Sequence, residues 1–481
     1  MRSSKVRVVV GLVCGAGALA LCLVGGFRVA SAAGVTLATR EISLGMFLPG
    51  LVPDTLTVSP DIRHVAYVTN RGGKQLVVVD GVGGKEYDGA ANLVFSPDSK
   101  RVAYTAKRGG KRLVVVDGVE GKEYDGIGTR TLVFSSDSKR VAYGAQRGGK
   151  WLVVVDGVEG KEYDGITAIP VFSPDSNRVA YGAGHGGKWL VVVDAVEGKE
   201  YDAIGGTPVF SPGSKRVAYV AQRGGKWLAI VDGVEGKEYD GITAIPVFSA
   251  DSKRVAYGAG RGGKMWVVLD GVEGKEYDGI GTATLVFSPD GKRVAYGAWR
   301  GGKWWVVVDG VEGKGYDQIG EGTSVFSPDG KRVAYAAKLG GKWLAVVDGV
   351  EGKEYEGIAK GTPVFSPDSK RVAYAAGRGD KQLVLVDGVE GKEYDKILAF
   401  GLVFSPDSKR VAYVAISGKK WLAVVDGVEG KEYDVFLNAR LVFDSPSQIH
   451  TLALRGDEFL RVEVEIVMPA AGPSGTPRPH L

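Results

Sequence analysis

From about residue 56 onward, apolar and polar positions recur in a unit of about 39 residues, the spacing of a tandem array of small supersecondary units. The apolar residue that opens the run FSPDSKRVAY falls at Val58, Phe95, Phe134, Phe172, Phe210, Phe248, Phe287, Phe326, Phe365, Phe404 and Phe443, 37 to 39 residues apart. Ten units are complete. The eleventh, from Phe443, is degenerate and stops after three strand-like runs.

One unit, Thr131 to Thr167, shows the pattern. Thr131–Ser135 is a first β-type run, and Ser136–Lys139 (SPDSK or SPDGK elsewhere) is a turn. In this turn Pro fixes φ, Asp bonds its own backbone, and Ser or Gly accepts the next corner. Arg140–Ala145 is a second run. Arg147-Gly-Gly-Lys150 reads as a two-residue Gly-Gly hairpin. Trp151–Val155 is a third run, Asp156–Gly160 a turn, and Lys161–Asp164 a short fourth run before a variable loop.

No stretch has helical periodicity, so the fold class is all-β, with four antiparallel strands per unit. The third run, WLVVVD, is apolar without alternation, as in a strand buried on both faces. Radial repetition of similar sheets supplies that burial, with the first-strand Phe and second-strand Tyr filling the gaps. A unit of this length cannot bury both faces alone, so stacking is obligatory.

The runs Phe287–Tyr296 and Phe326–Tyr335 (FSPDGKRVAY), each followed by a VVVD-like strand, resemble the blade of TolB-type, WD-repeat-like β-propellers. The resemblance covers residues 56–467. It lacks the Gly-His and Trp-Asp signatures of true WD repeats, the α/β domain of TolB and any hydrolase domain. It therefore implies fold and compartment, not activity. Eleven units exceed the usual four to eight blades, which leaves one large ring or two smaller rings. The last unit lacks a fourth strand, and Val35–Ile42, within the segment 33–55, can supply it.

The start of the chain changes the picture of compartment. Arg2, Lys5 and Arg7 precede an apolar run, Val8 to Phe27, and then Ala30-Ser31-Ala32. This is the pattern of an export signal over 1–32, or of a retained membrane anchor, and both place the rest across a membrane. Contact with the membrane is expected only if the segment is retained. Both cysteines, Cys14 and Cys22, lie within it, so the remainder has no disulfide or cysteine metal site. The tail 468–481 is Pro/Gly-rich and reads as disordered. Of 61 basic residues, Arg2, Lys5, Arg7 and Arg28 lie in this acid-free start, leaving 57 against 56 acidic ones. Global charge thus gives no case for nucleic acid.

Catalysis finds no support in the pattern. His64, His185, His450 and His480 share no repeat position, and no nucleophile elbow, HExxH or phosphate loop occurs. No cofactor or metal is expected. The acidic run Asp117–Asp125 lacks an alternating ligand pattern and has Lys122 in its middle, so it reads as a surface charge ladder between blades.

The candidate binding face is the hairpin rim. It collects Arg108, Lys111, Arg147, Lys150, Lys188, Arg223, Lys226, Arg261, Lys264, Arg300, Lys303 and Lys342, with Trp151, Trp189, Trp227, Trp304 and Trp343 just after the turns. Such a ring of cations over aromatics suits a protein partner or an anionic envelope polymer or glycan. The bland alternative is Trp packed between blades and cations that keep strand edges soluble. The residues that differ most between repeats, such as GIGTRT, GITAIP, QIGEGTS and KILAFG, are expected on the same face. The chain reads as an exported, non-catalytic binding scaffold, or as a structural envelope repeat protein without a ligand.

Overall fold

The computed structural model describes residues 35–467 apart from 48, 53, 168, 244, 282 and 283. The expected export segment 1–32 and the tail 468–481 lie outside the described residues.

Among the described residues, eleven antiparallel sheets follow one another. The first holds Thr57–Val58, Val65–Arg71, Lys74–Val79 and Val82–Tyr87, in spatial order. The other units repeat that order. In most blades, two-residue turns with both central φ positive join the second strand to the third and the third to the fourth, because a turn of that hand matches strand twist. Gly148 (φ 56) and Gly149 (φ 80) form one, and Asp156 (φ 53) and Gly157 (φ 80) the other. The second and third strands pair over their full length, from Ala142↔Val155 to Arg147↔Lys150 in the third blade.

The third strand is the buried centre, as its unbroken apolar run requires: Leu152, Val153 and Val154 are 2% exposed or less. Each blade gap is filled from both sides. Tyr163, closing the third blade, meets Tyr181 of the fourth edge-on at 6.4 Å. Arg140 lies 5.2 Å over the ring of Phe172 in the next blade. Fully burying one such apolar side chain stabilises by about 1.5–3 kcal/mol. The gap between the fourth and fifth blades alone holds ten buried apolar residues, so apolar burial rather than surface charge holds neighbouring blades together.

These gaps follow one another from the first blade to the last, and a final one joins the eleventh back to the first. Ile62, Val65, Tyr67, Leu76 and Val78 of the first blade pack there on Leu437, Leu452, Leu454 and Phe459 of the eleventh. The array is one closed ring of eleven blades, which settles the choice left open by the sequence. The eleventh sheet contains Val435–Phe436 and Val442–Ser445, then Gln448–Arg455 and Glu458–Val467, and its outer strand is Thr36–Met46. That strand pairs antiparallel from Thr36↔Val467 to Ser43↔Leu460.

The first strand of each blade is the inner edge. Blades that radiate from an axis are crowded inside and splayed outside. The first-strand ends of successive blades touch, with the Asp98 amide on Ser138 Oγ at 2.9 Å and the Asp137 amide on Ser176 Oγ at 2.9 Å. The fourth strands are open to solvent, with Val119, Val158 and Val234 each at least 70% exposed.

Candidate functional site

The Gly-Gly hairpin sets an arginine before the turn and a lysine after it on one rim. Each lysine meets the carboxylate that ends its own blade's fourth strand. Lys111 reaches Asp125 (2.5 Å), Lys150 Asp164 (2.5 Å), Lys188 Asp202 (2.6 Å) and Lys226 Asp240 (2.5 Å). Lys264 reaches Asp278 (3.0 Å), Lys303 Asp317 (2.6 Å) and Lys342 Glu356 (3.2 Å). The second oxygen of each carboxylate accepts the first glycine N–H of the next blade's hairpin. Gly148 donates to Asp125 at 2.8 Å and Gly262 to Asp240 at 2.7 Å. One carboxylate thus fastens two hairpins. Lys226, then the Gly262 amide, holds the Asp240 carboxyl below its ordinary range.

The arginines are also paired. Arg108 contacts Glu120 (2.8 Å) and Glu123 (2.8 Å), Arg147 Glu159 (2.9 Å) and Glu162 (2.8 Å), and Arg223 Glu235 (2.9 Å) and Glu238 (3.1 Å). Arg261 reaches Glu273 at 3.5 Å and Arg300 reaches Glu312 at 3.1 Å. These last two also stack 5.4 Å over Trp266 and 5.3 Å over Trp305, two aromatics outside the sequence-based site. The acidic run supplies the partners. Glu120 takes Lys85 and the Tyr87 hydroxyl from the preceding blade as well, and Lys85 first, then Arg108 and Tyr87, draw its carboxyl down to about 2.

The rim expected as a ring of cations is therefore a ring of ion pairs. Its field at a distance is that of neutral pairs, which salt screens within about 8–10 Å. Trp151, Trp189, Trp227, Trp304 and Trp343 are half-buried. Trp189 and Trp304 pack on the clusters between blades, and a Cβ on Gly184 would come within 2.8 Å of the Trp189 ring.

The variable segments lie elsewhere than expected. They interrupt the first strand halfway down the inner edge instead of standing on the hairpin face. In the fourth blade Gly165–Ile166 and Val171–Phe172 both pair with Val179–His185, and the register shifts by two residues between the two pieces, as at a bulge. A bulge breaks the edge strand without disturbing the buried strands, so sequence can vary there at little cost. Ile169, Ile245 and Phe400 stand in these bulges at 40%, 51% and 51% exposure. Thr129, Arg130 and Glu321 are exposed there too, and Lys360 meets Glu321 from the next blade at 3.3 Å. A small cleft of about 180 Å³ opens between Gly205, Gly206, Trp227, Ile242 and Ile245. The strand pattern alone hid this placement, because both halves of the interrupted strand are only two residues long.

The histidines do not converge. His64 pairs with Asp80 (2.6 Å) and His185 lies 3.8 Å from Asp164. His450, at 1% exposure, bridges the closing gap, with Nδ1 2.8 Å from Asp444 and Nε2 2.6 Å from the Asp61 carbonyl. His480 lies outside the described residues. Among the described residues no group of three His, Cys, Asp or Glu is arranged to hold a metal ion.

Several solved structures are similar to parts of the chain. TolB from Acinetobacter baumannii aligns over 53% of this chain and 77% of its own, at 16% identity and a TM-score of 0.26. The Dos1 propeller covers 64% and 94%, at 12% identity and 0.32. The β-propeller domain of the Trilobed protease from Pyrococcus furiosus covers 63% and 97%, at 14% identity and 0.27. No family model matches the chain. No curated protein sequence matches it either. The assignment rests on the chain's own sheets, which repeat one order of four strand positions and pack on one another through successive apolar clusters. The chain folds as a β-propeller of four-stranded antiparallel blades.

Proposed function

We propose that the ring is a non-catalytic protein-interaction scaffold, exported by its N-terminal segment, and that the partner meets the inner edge rather than the hairpin rim. The observation that carries this reading is where the repeats differ. Turns, clamps and core repeat almost unchanged, whereas the inner bulges present Arg130, Ile169, Ile245, Glu321, Lys360 and Phe400 in different blades. A surface that varies blade by blade on a fixed frame gives each contact its own chemistry, as a protein partner requires. An anionic polymer is the weaker reading, because each hairpin lysine named above already has a carboxylate within 3.2 Å.

The test is affinity capture from envelope extracts with the chain from residue 33 onward. Ile245→Asp with Phe400→Asp should abolish retention of the captured protein, and reversing the charge of Lys150, Lys188 and Lys226 should leave it. The opposite pattern, or equal retention by both variants, refutes the reading. Export is tested separately by cell fractionation: chain recovered only in the cytoplasm contradicts it.

A further inference from the structure

The closing strand differs from the other outer strands in how it is tethered. The outer strands of the first ten blades are each tied to their third strand by a two-residue turn, as Asp156-Gly157 ties the third blade. Thr36–Met46 has no such turn: it reaches Glu458–Val467 from the other end of the chain. Its hydrogen-bonded edge faces that one neighbour, and none of its eleven residues is fully buried.

What it meets is nevertheless specific. Glu41 takes the place that Glu120 or Glu159 takes in a regular blade. It accepts from the Tyr433 hydroxyl at 2.7 Å and from Arg455 at 2.8 Å, with Lys431 at 3.7 Å. Phe47, just beyond the strand, stands where Tyr163 stands in the third blade. It packs on Tyr67 at 6.3 Å, as Tyr163 packs on Tyr181 at 6.4 Å. Positive φ at Gly45 (97°) lies in the irregular last turn of the strand, where its register shifts between Ser43 and Met46, and Gly50 (93°) bends the chain between the strand and the first blade.

We infer that this slot is a strand-acceptor site whose second occupant is another copy of this chain, so that two rings exchange closing strands. The groups that receive Glu41 lie 390 to 414 residues away in sequence, and nothing in the contact distinguishes a ring's own strand from an identical one. Exchange keeps the strand pairing, the Glu41 cluster and the apolar contacts of the strand in both copies. The contacts of the link from Phe47 to Gly50 must rearrange, and the balance between ring and exchanged dimer follows concentration by mass action. Addition of a strand to an open sheet edge is an established mode of recognition, with the backbone giving affinity and one side-chain site giving register.

The register supplies the test. Ala38 and Glu465 are partners across the seam, and both are exposed. In a full-length background of Cys14→Ser and Cys22→Ser, one copy carries Ala38→Cys and the other Glu465→Cys. The two are mixed at high concentration, incubated and oxidised. Each copy holds only half of the pair, so a disulfide between them forms in register only when the strand of one lies in the slot of the other. The expected result is at least a tenfold higher yield of covalent dimer than from Ala38→Cys mixed with Val158→Cys, a residue equally on an outer strand but distant from the seam. Adding Glu41→Lys to the first copy should lower the yield about tenfold, and Arg455→Glu in the second should recover part of it. Circular dichroism confirms that every copy is folded before mixing. A yield equal to the Val158 control, or one that ignores Glu41→Lys, overturns the inference.

Discussion

The Tyr433 hydroxyl donates to Glu41 Oε1 at 2.7 Å, joining two residues 392 positions apart. The same contact recurs inside the repeats, from Tyr87 to Glu120 at 2.9 Å and from Tyr355 to Glu390 at 2.8 Å. The N-terminal strand thus completes the eleventh blade with the carboxylate that every regular blade supplies from its own outer strand. At the next gap both partners are missing together: Phe47 stands in for the tyrosine and Gly83 for the glutamate. Aromatic packing replaces the hydrogen bond there, with Phe47 4.4 Å from Phe459.

Glu41→Ala should lower the unfolding free energy by on the order of 1–2 kcal/mol, the low end for a charge-assisted hydrogen bond in a partly exposed site. The check is a urea unfolding curve in which the midpoint falls and the slope is unchanged.

Phe459→Ala should cost more, about 3–5 kcal/mol, because a ring at 1% exposure leaves a cavity between the eleventh and first blades. The same unfolding experiment reads it. A loss below that of Glu41→Ala contradicts the closing gap as an apolar seal.

Acid should loosen the ring within a defined window. Lys85 first, then Arg108, holds Glu120 at about 2, and Arg378 first, then Tyr355, holds Glu390 at about 2, both from an ordinary 4.5. A carboxyl lowered in the folded state gives stability that is complete above the ordinary value and lost as pH falls through the folded one. Unfolding free energy should therefore be flat from about pH 5 up to the range where tyrosines ionise and fall between pH 4.5 and about 2. A profile that is still flat at pH 2 refutes the ion-pair ladder.

Base should act through the tyrosines. Burial first, then the Glu390 carboxylate, pushes Tyr374 up to about 12, and burial pushes Tyr413 to about 12. An acid raised in the folded state keeps its proton there while the unfolded chain loses it, so stability is lost as pH rises past 10. At pH 11 the folded chain should show only a small part of the phenolate absorbance of the chain in urea. Equal absorbance would place these rings in water.

Much of this was legible in the residues. WLVVVD specified a strand buried on both faces, and Leu152, Val153 and Val154 are so buried. Gly-Gly specified a two-residue hairpin, and Gly148 and Gly149 form one; the turn read over Asp156–Gly160 is shorter, because Val158 and Glu159 already pair with the third strand. Two things were not legible. The carboxylates that neutralise Lys150 and Arg147 come from Asp164, Glu159 and Glu162, across a strand whose register only the fold sets, so a list of cations read as a charged rim. The segment Thr167–Pro170 looked like a loop between blades, because nothing local says that the two residues before it, Gly165–Ile166, already pair in the next sheet.

The clamp makes its own prediction. Asp240→Ala should remove hydrogen-exchange protection from the Gly262 amide and leave the Gly301 amide, bonded to Asp278, unchanged. Amide-resolved exchange reads both, and equal protection at Gly262 in the variant refutes the link between hairpins.

Cryo-electron microscopy of the chain from residue 33 onward, averaged over views down the axis, tests the architecture most directly. The structure predicts a closed ring with eleven spokes and no gap, the strand Thr36–Met46 filling the outer position of the eleventh. An open arc, a pair of smaller rings, or a ring whose eleventh spoke has only three strands would contradict it.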